Sequence, residues 1–154
     1  MAHVLVGVLT LFIVIVFGFI INGDWESVIS GFVFAVVIIG VHVVAKELAA
    51  GLLDAGVEHK IWGVYRFGFK EKQHFKNEDP FGVILPLVLS ILSLGFLKVG
   101  SILTYETRAL KRRAAKRFGP YSYTEMTDWH NGLIGATGIV ALLLLSAVGY
   151  LAGF

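Results

Sequence analysis

Long apolar stretches alternate with polar segments along this chain, and this alternation is its dominant pattern. Four stretches are long enough to consider as membrane spans, at about 4–21, 25–50, 81–103 and 130–154. A transmembrane helix needs about 20 mostly apolar residues to cross a hydrocarbon core of roughly 30 Å. The pattern therefore predicts about four transmembrane helices.

The first stretch could also be a cleavable signal peptide. The segment Met1-Ala2-His3 carries no Lys or Arg, and Asn22-Gly23-Asp24 does not offer the small residues that a signal peptidase prefers. We therefore interpret residues 4–21 as a retained helix. Asp24 follows in a turn and is suited to the start of the second helix.

Two polar segments separate the apolar stretches. In the first, residues 60–69 partly alternate large apolar residues with small or charged ones, which predicts a short strand or hairpin at the membrane face. An aromatic interfacial loop is an equally good interpretation. In the second, residues 108–117 read as a short basic helix that ends before Gly119-Pro120.

Composition agrees with a membrane protein. Hydrophobic residues make up 56% and charged residues 16%, and the mean hydropathy is +0.79, whereas soluble domains carry about 25% charged residues. The expected fold is an all-α membrane protein, a single multi-pass domain over 1–154 in the cell membrane, with a short interfacial strand or loop region and a basic surface helix. The sequence contains no Cys, which excludes disulfides and thiolate metal sites.

Four crossings would place both termini on one side of the membrane and the two polar segments on opposite sides. Five Lys and Arg residues lie in 54–79 and seven in 98–128. Because cytoplasmic loops carry more Lys and Arg, the counts lean towards cytoplasmic 98–128.

Ionisable residues at membrane depth are the first candidates for function. His42 lies about 17 residues into the predicted second helix, with Lys46 one turn later and Glu47 beside it. Glu58 and His59 could join them if the following segment folds back. This possible polar intramembrane site could bind a metal, relay protons or contact a substrate. Alternatively, His42 is hydrogen-bonded to a neighbouring helix and the Lys46 ammonium reaches the headgroups.

A second polar cluster, Asp128, His130 and Asn131, opens the last span. It could hold a metal, but Asp and Asn also suit a helix start. With four crossings, the far end of the second helix and the near end of the last one lie on opposite membrane faces. We therefore expect His42 and His130 not to share one metal or haem.

The predicted basic helix offers a surface for lipid. Its basic side chains lie at helical spacing beside apolar ones, as in helices that lie on anionic membranes. RNA contact is the second possibility, although no nucleic-acid-binding module is present and no nucleic acid partner is expected. The candidate residues for lipid headgroup binding are Arg108, Lys111, Arg112, Arg113, Lys116 and Arg117.

Residues 41–46, 55–62 and 134–142 are three stretches that, taken in this order, resemble the site-2 protease family of intramembrane metalloproteases. The segment 41–46, Val-His-Val-Val-Ala-Lys, occupies the place of the HExxH-bearing helix. Residues 55–62 look like the intramembrane strand that follows, and residues 134–142 are similar to the glycine-led AGPxxN segment. The resemblance covers residues 28–154 in the order of elements and implies a membrane-embedded fold around a zinc site.

The resemblance does not extend to the active site. His42 matches the first metal-binding histidine, but Val43 replaces the general base and Lys46 the second histidine. Leu142 replaces the asparagine, and the helix bearing the third, aspartate ligand has no counterpart in these residues. Catalytic zinc needs about three protein ligands. The resemblance thus implies a degenerate member, with no catalytic residue, no metal ligand set and no cofactor.

These observations lead to one expected function and two alternatives. The expected function is a non-catalytic membrane subunit or scaffold, similar to a pseudoprotease, whose partners are lipids and other membrane subunits or further copies of the chain. Small-residue faces at Gly132, Gly135 and Gly138 and at Gly149 and Gly153 suit close helix packing. The alternatives are a metalloprotease-like enzyme with an atypical zinc site, and a small transport or proton-path component.

Overall fold

The computed structural model describes residues 2–66, 74–100, 103–116, 118–119, 122 and 124–153. Its helices are α1 (Ala2–Ile21), α2 (Val28–Leu52), α3 (Phe81–Leu92), a short 3-10 helix (Lys111–Ala115) and α4 (Asp128–Leu151). Its strands are β1 (Ala55–Ile61), β2 (Val64–Arg66), β3 (His74–Asp79) and β4 (Leu103–Ala109). Within the described residues, three helices, α1, α2 and α4, are long and apolar enough to cross a membrane.

The chain divides into two compact units. The first comprises Met1–Val36 and His59–Thr104. It contains α1, the start of α2, and α3. Leu11, Val14 and Ile15 form the buried face of α1. Phe12 of α1 meets Phe32 of α2 edge to face, with ring centroids 5.3 Å apart.

Two glycines allow α1 to contact the chain that follows α3. A Cβ atom built on Gly95 would lie 2.6 Å from Gly18 Cα, and one built on Gly18 would lie 2.9 Å from the Gly95 carbonyl oxygen. Gly95 also has φ +78°, a conformation that residues with a Cβ rarely adopt. The backbones touch here because neither residue has a side chain.

The predicted third span is too long. α3 has 12 residues and ends at Leu92, which corresponds to about 18 Å at 1.5 Å per residue. The helix stops because Leu94 and Gly95 take positive φ angles of 51° and 78°. Residue 103 then opens β4 instead of closing a span. Four crossings are therefore not confirmed.

The second unit comprises Val37–Glu58 and Tyr105–Phe154. It contains the rest of α2, most of β1 and β4, the 3-10 helix and α4. Its core is small, formed by Ala49, Ala50, Ala55 and Ile134. Small side chains on α2 let it lie close to the strands and to α4.

The strands form two small sheets, so the prediction of an all-α protein is not confirmed. β2 pairs antiparallel with β3, and β1 pairs with β4. Strand formation at residues 60–61 and 64–66 agrees with the predicted strand or hairpin; residues 67–69 lie outside the described residues. In the second unit, Leu110 N–H donates to Asp54 O at 3.0 Å, and Gly56 faces Arg108.

The predicted basic helix over 108–117 is confirmed only in its central five residues, and there as a 3-10 helix. Arg108 belongs to β4, Leu110 is extended, and a 3-10 helix of five residues covers Lys111–Ala115. Residue 117 lies outside the described residues. Pairing with β1 holds Arg108 and Ala109 in strand β4, so the first two residues of the predicted helix are extended instead.

Candidate functional site

His42 and Lys46 lie together where α2 meets α4. A Cβ atom built on Gly138 of α4 would lie 2.9 Å from His42 Cε1 and 2.8 Å from Lys46 Cε. Only a residue without a side chain leaves room for both at this place. The structure therefore brings together the first two residues of the predicted polar site, against one of the predicted glycines.

The position of His42 in its helix differs from the prediction. It is the fifteenth of the 25 residues of α2, near the middle rather than near the far end. The far end of α2 and the near end of α4 are joined: Arg113 contacts both Leu53 and His130. Arg113 thus joins two ends that the four-crossing prediction placed on opposite membrane faces, and that prediction is not confirmed.

Lys46 does not extend to the headgroups. Its side chain is buried, and its ammonium lies 4.3 Å from the ring centroid of Tyr105. Within the described residues no carboxylate forms an ion pair with it. The electron-rich face of the ring stabilises the cation instead, and Tyr105 OH donates to Asn131 O at 2.6 Å.

The other three members of the predicted site have surroundings of their own. Glu47 is exposed. Glu58 forms an ion pair with Arg108 at 2.9 Å, and His59 is buried in β1. The described part of the chain contains no group of three or more His, Asp or Glu residues placed to hold a metal ion.

The donor set around His42 does not fit the zinc ion that the resemblance implies. Lys46 stands where a second histidine is needed, and its cationic side chain contacts the same glycine as His42. The positive charge of Lys46 so close to His42 would repel a divalent cation bound there. Val43 supplies neither a metal ligand nor a general base. The residues present therefore support no step through a bound metal.

The start of α4 is built from polar contacts that the sequence did not reveal. Thr127 is the N-cap residue, without a side-chain cap hydrogen bond, and Asp128 lies exposed in the first turn. The Asn131 side chain accepts a hydrogen bond from Thr107 of β4. Asn131 and Asp128 thus do not cap the helix as predicted. Asn131 attaches α4 to β4 through this hydrogen bond. The negative charge of Asp128 is stabilised by the positive end of the helix dipole.

A buried arginine connects α2 to α4. Arg113 is fully buried and donates to the carbonyl oxygen of Leu53 at 2.5 Å. Its Nη2 lies 3.2 Å from His130 Nε2. Because a guanidinium can only donate, Nε2 accepts, which assigns the proton to His130 Nδ1, next to the Thr127 hydroxyl. His130 is thus a hydrogen-bonding partner of Arg113.

Asp54 is the acidic counterpart of the basic residues around Arg113. It is buried, pairs with Arg112 at 2.7 Å and accepts a hydrogen bond from Lys116. That hydrogen bond, together with the charges of Lys116, Arg112 and Arg113, lowers the pKa of Asp54 from 3.8, against a smaller opposing effect of burial. Asp54 also has φ +48°, which ends the α2 helix.

The predicted lipid-binding residues therefore divide into two kinds. Arg113 is internal and is not available to a headgroup, which corrects the prediction for that residue. The exposed members are Arg108, Lys111, Arg112 and Lys116. Arg117 lies outside the described residues.

Comparisons of this chain with protein-family models, with curated proteins and with solved structures find no match. The site-2 protease resemblance consequently stays a prediction.

Proposed function

We propose that this chain is a non-catalytic, multi-pass membrane subunit or scaffold, similar to a pseudoprotease, that packs against other membrane helices. The observation that carries the proposal is the packing of both His42 and Lys46 against Gly138. A lysine at this place opposes the binding of a catalytic cation, whereas its contacts with Tyr105 and α4 hold two helices together.

A groove on α2 supports the packing role. It has a volume of about 440 Å³ and an almost entirely apolar lining. A Cβ atom built on Gly40 would have no neighbour within 4 Å, so this face leaves room for close approach of another helix. The groove is lined by Val37, Gly40, Val41, Val44, Ala45 and Leu48.

Three crossings fit this proposal better than four. We place α1, α2 and α4 across the membrane, with α3 entering it without crossing, because about 18 Å of helix cannot span roughly 30 Å. The contact of Asp54 with Lys116 supports this arrangement, because it joins the polar segment after α2 to the one before α4.

The test is purification of the full chain from membranes in a mild detergent, followed by mass measurement and zinc analysis. We expect a homo-oligomer or a complex with other membrane proteins, containing no stoichiometric zinc. Gly40→Leu, which fills the groove, should shift the assembly towards monomer. Gly51→Leu is the matched control on the same helix and outside the groove, because a Cβ atom built on Gly51 also has no neighbour within 4 Å.

Two results would overturn the proposal. A monodisperse monomer in mild detergent would remove the packing role. Stoichiometric zinc that is lost in His42→Ala would instead favour the alternative, a metalloprotease-like enzyme with an atypical site.

A further inference from the structure

The short 3-10 helix Lys111–Ala115 is fixed at the level where two spanning helices end. Arg113, in its centre, donates to Leu53, the residue after α2, and to His130 in the first turn of α4. Because α2 ends at Leu52 and α4 begins at Asp128, these contacts mark the boundary between the apolar spans and the polar segments. A membrane around the spans would place its headgroups here.

Positive charge accumulates at this boundary. The described residues 107–116 contain five Lys and Arg residues and no Asp or Glu. Asp54 and Glu58, which pair with three of them, carry two negative charges. At most two of the five positive charges are therefore balanced by these contacts. Lys111 is exposed, and none of the described contacts engages its side chain.

Exposed aromatic side chains lie on the same boundary. Trp129, in the first turn of α4, is 75% exposed, and Phe118, just after the basic segment, is 79% exposed. Trp is enriched at membrane–water interfaces, where one part of the ring is wet and another is apolar. A surface that combines such aromatics with unbalanced cations matches a lipid headgroup region better than it matches RNA.

We propose that Lys111, Arg112 and Lys116 form a binding site for the phosphate of an anionic phospholipid, and that Arg113 is its internal anchor. Phosphate oxygens can accept from Lys111 and from the outward N–H groups of Arg112, while Asp54 holds Arg112 and Lys116 in place from the other side. The proposal requires the chain to lie in a membrane, but it does not depend on whether the chain is catalytic.

The test uses the full chain in mild detergent, titrated with phosphatidylglycerol or with phosphatidylcholine, and native mass spectrometry to count bound lipid. Phosphatidylglycerol should bind more tightly. Each charge removed should weaken its binding about fivefold, so Lys111→Gln with Arg112→Gln should lose roughly 25-fold. Lys116 remains to pair with Asp54 in this variant, which protects the fold.

A control variant that removes the same number of charges elsewhere distinguishes a specific lipid-binding site from general electrostatic attraction of anionic lipid. Lys98→Gln with Arg66→Gln also removes two exposed cations, and it should leave the preference for phosphatidylglycerol unchanged. Equal binding of the two lipids would overturn the proposal. So would an equal loss of phosphatidylglycerol binding in the two double variants. Binding of a single-stranded RNA that is lost in the Lys111/Arg112 variant, without lipid preference, would assign the surface to RNA instead. Oligomeric state does not enter this measurement, so failure here is distinct from failure of the scaffold proposal.

Discussion

A charged side chain inside a membrane-spanning helix is costly unless the protein stabilises it. In α2, which we propose to span the membrane, Lys46 meets this requirement through the ring of Tyr105 and through the gap left by Gly138. The same gap admits the imidazole of His42. At the scale of single residues, the absence of one side chain on α4 therefore decides where two polar groups of α2 can lie.

Gly138→Ala should destabilise the protein for this reason. The added Cβ atom would lie within 3 Å of both Lys46 Cε and His42 Cε1, so both side chains must move, and overpacking of this kind costs about 1–3 kcal/mol. Thermal unfolding in detergent measures the effect. Gly132→Ala is the control on the same helix, because its Cβ atom would have no neighbour within 4 Å. Equal unfolding temperatures for the two variants would contradict the close contact.

Acid should weaken the protein through Asp54. Its pKa in the folded chain is lowered from 3.8 by the hydrogen bond from Lys116 and by the neighbouring positive charges. A carboxyl whose folded pKa is depressed contributes stability above its unfolded pKa and loses that contribution as the pH falls through the folded value. We expect a loss of stability that begins as the pH falls below 3.8. The loss should be smaller in Asp54→Asn, which is already less stable at neutral pH.

Unfolding temperatures of the two proteins between about pH 3 and pH 7 check this expectation. Parallel pH profiles would show that Asp54 titrates without coupling to folding. Glu58→Gln provides a comparison, since Glu58 forms an exposed ion pair with Arg108, and exposed pairs contribute little to stability.

At the scale of secondary-structure elements, long and mainly apolar runs were sufficient to predict α1, α2 and α4 within a few residues. The end of α3 was not predictable in this way. The sequence stays apolar through Leu94, Phe96 and Leu97, but positive φ angles at Leu94 and Gly95 stop the helix. Those angles accompany the contact of Gly95 with Gly18, which lies 77 residues earlier, and hydropathy does not record contacts between distant segments.

At the candidate site, strand β4 and the anchor Arg113 also depend on contacts between distant segments, which the local sequence does not predict. Residues 103–109 become a strand by pairing with β1, although the basic residues that follow favoured a helix. Among Arg112, Arg113 and Lys116, nothing local marks Arg113 as the buried one; its carbonyl and histidine partners lie 60 and 17 residues away. His42 and Lys46 were predictable as polar residues in an apolar helix, but their neighbours Tyr105 and Gly138 were not.

At the scale of the whole molecule, the number of crossings decides how charge is distributed across the membrane. Of the 13 Lys and Arg residues, 12 fall between α2 and α4 in the sequence, and none falls between α1 and α2. Four crossings divide these residues into nearly equal groups. Three crossings place all 12 on one side, and cytoplasmic segments are the ones enriched in Lys and Arg. The three-crossing arrangement therefore predicts a definite orientation, with the segment between α2 and α4 in the cytoplasm.

The natural absence of Cys makes this orientation directly measurable with single cysteines. Glu26→Cys lies in the connection between α1 and α2, whereas Glu58→Cys and Lys111→Cys lie in β1 and the 3-10 helix, and all three positions are exposed. In intact bacterial cells that express the chain, a membrane-impermeant maleimide should label the first variant. The other two should react only after permeabilisation.

Glu58 and Lys111 decide between the topologies, because four crossings put them on opposite sides and three put them on the same side. Labelling of Glu58→Cys and Lys111→Cys from different sides would restore the fourth crossing and would be incompatible with the pairing of Asp54 with Lys116.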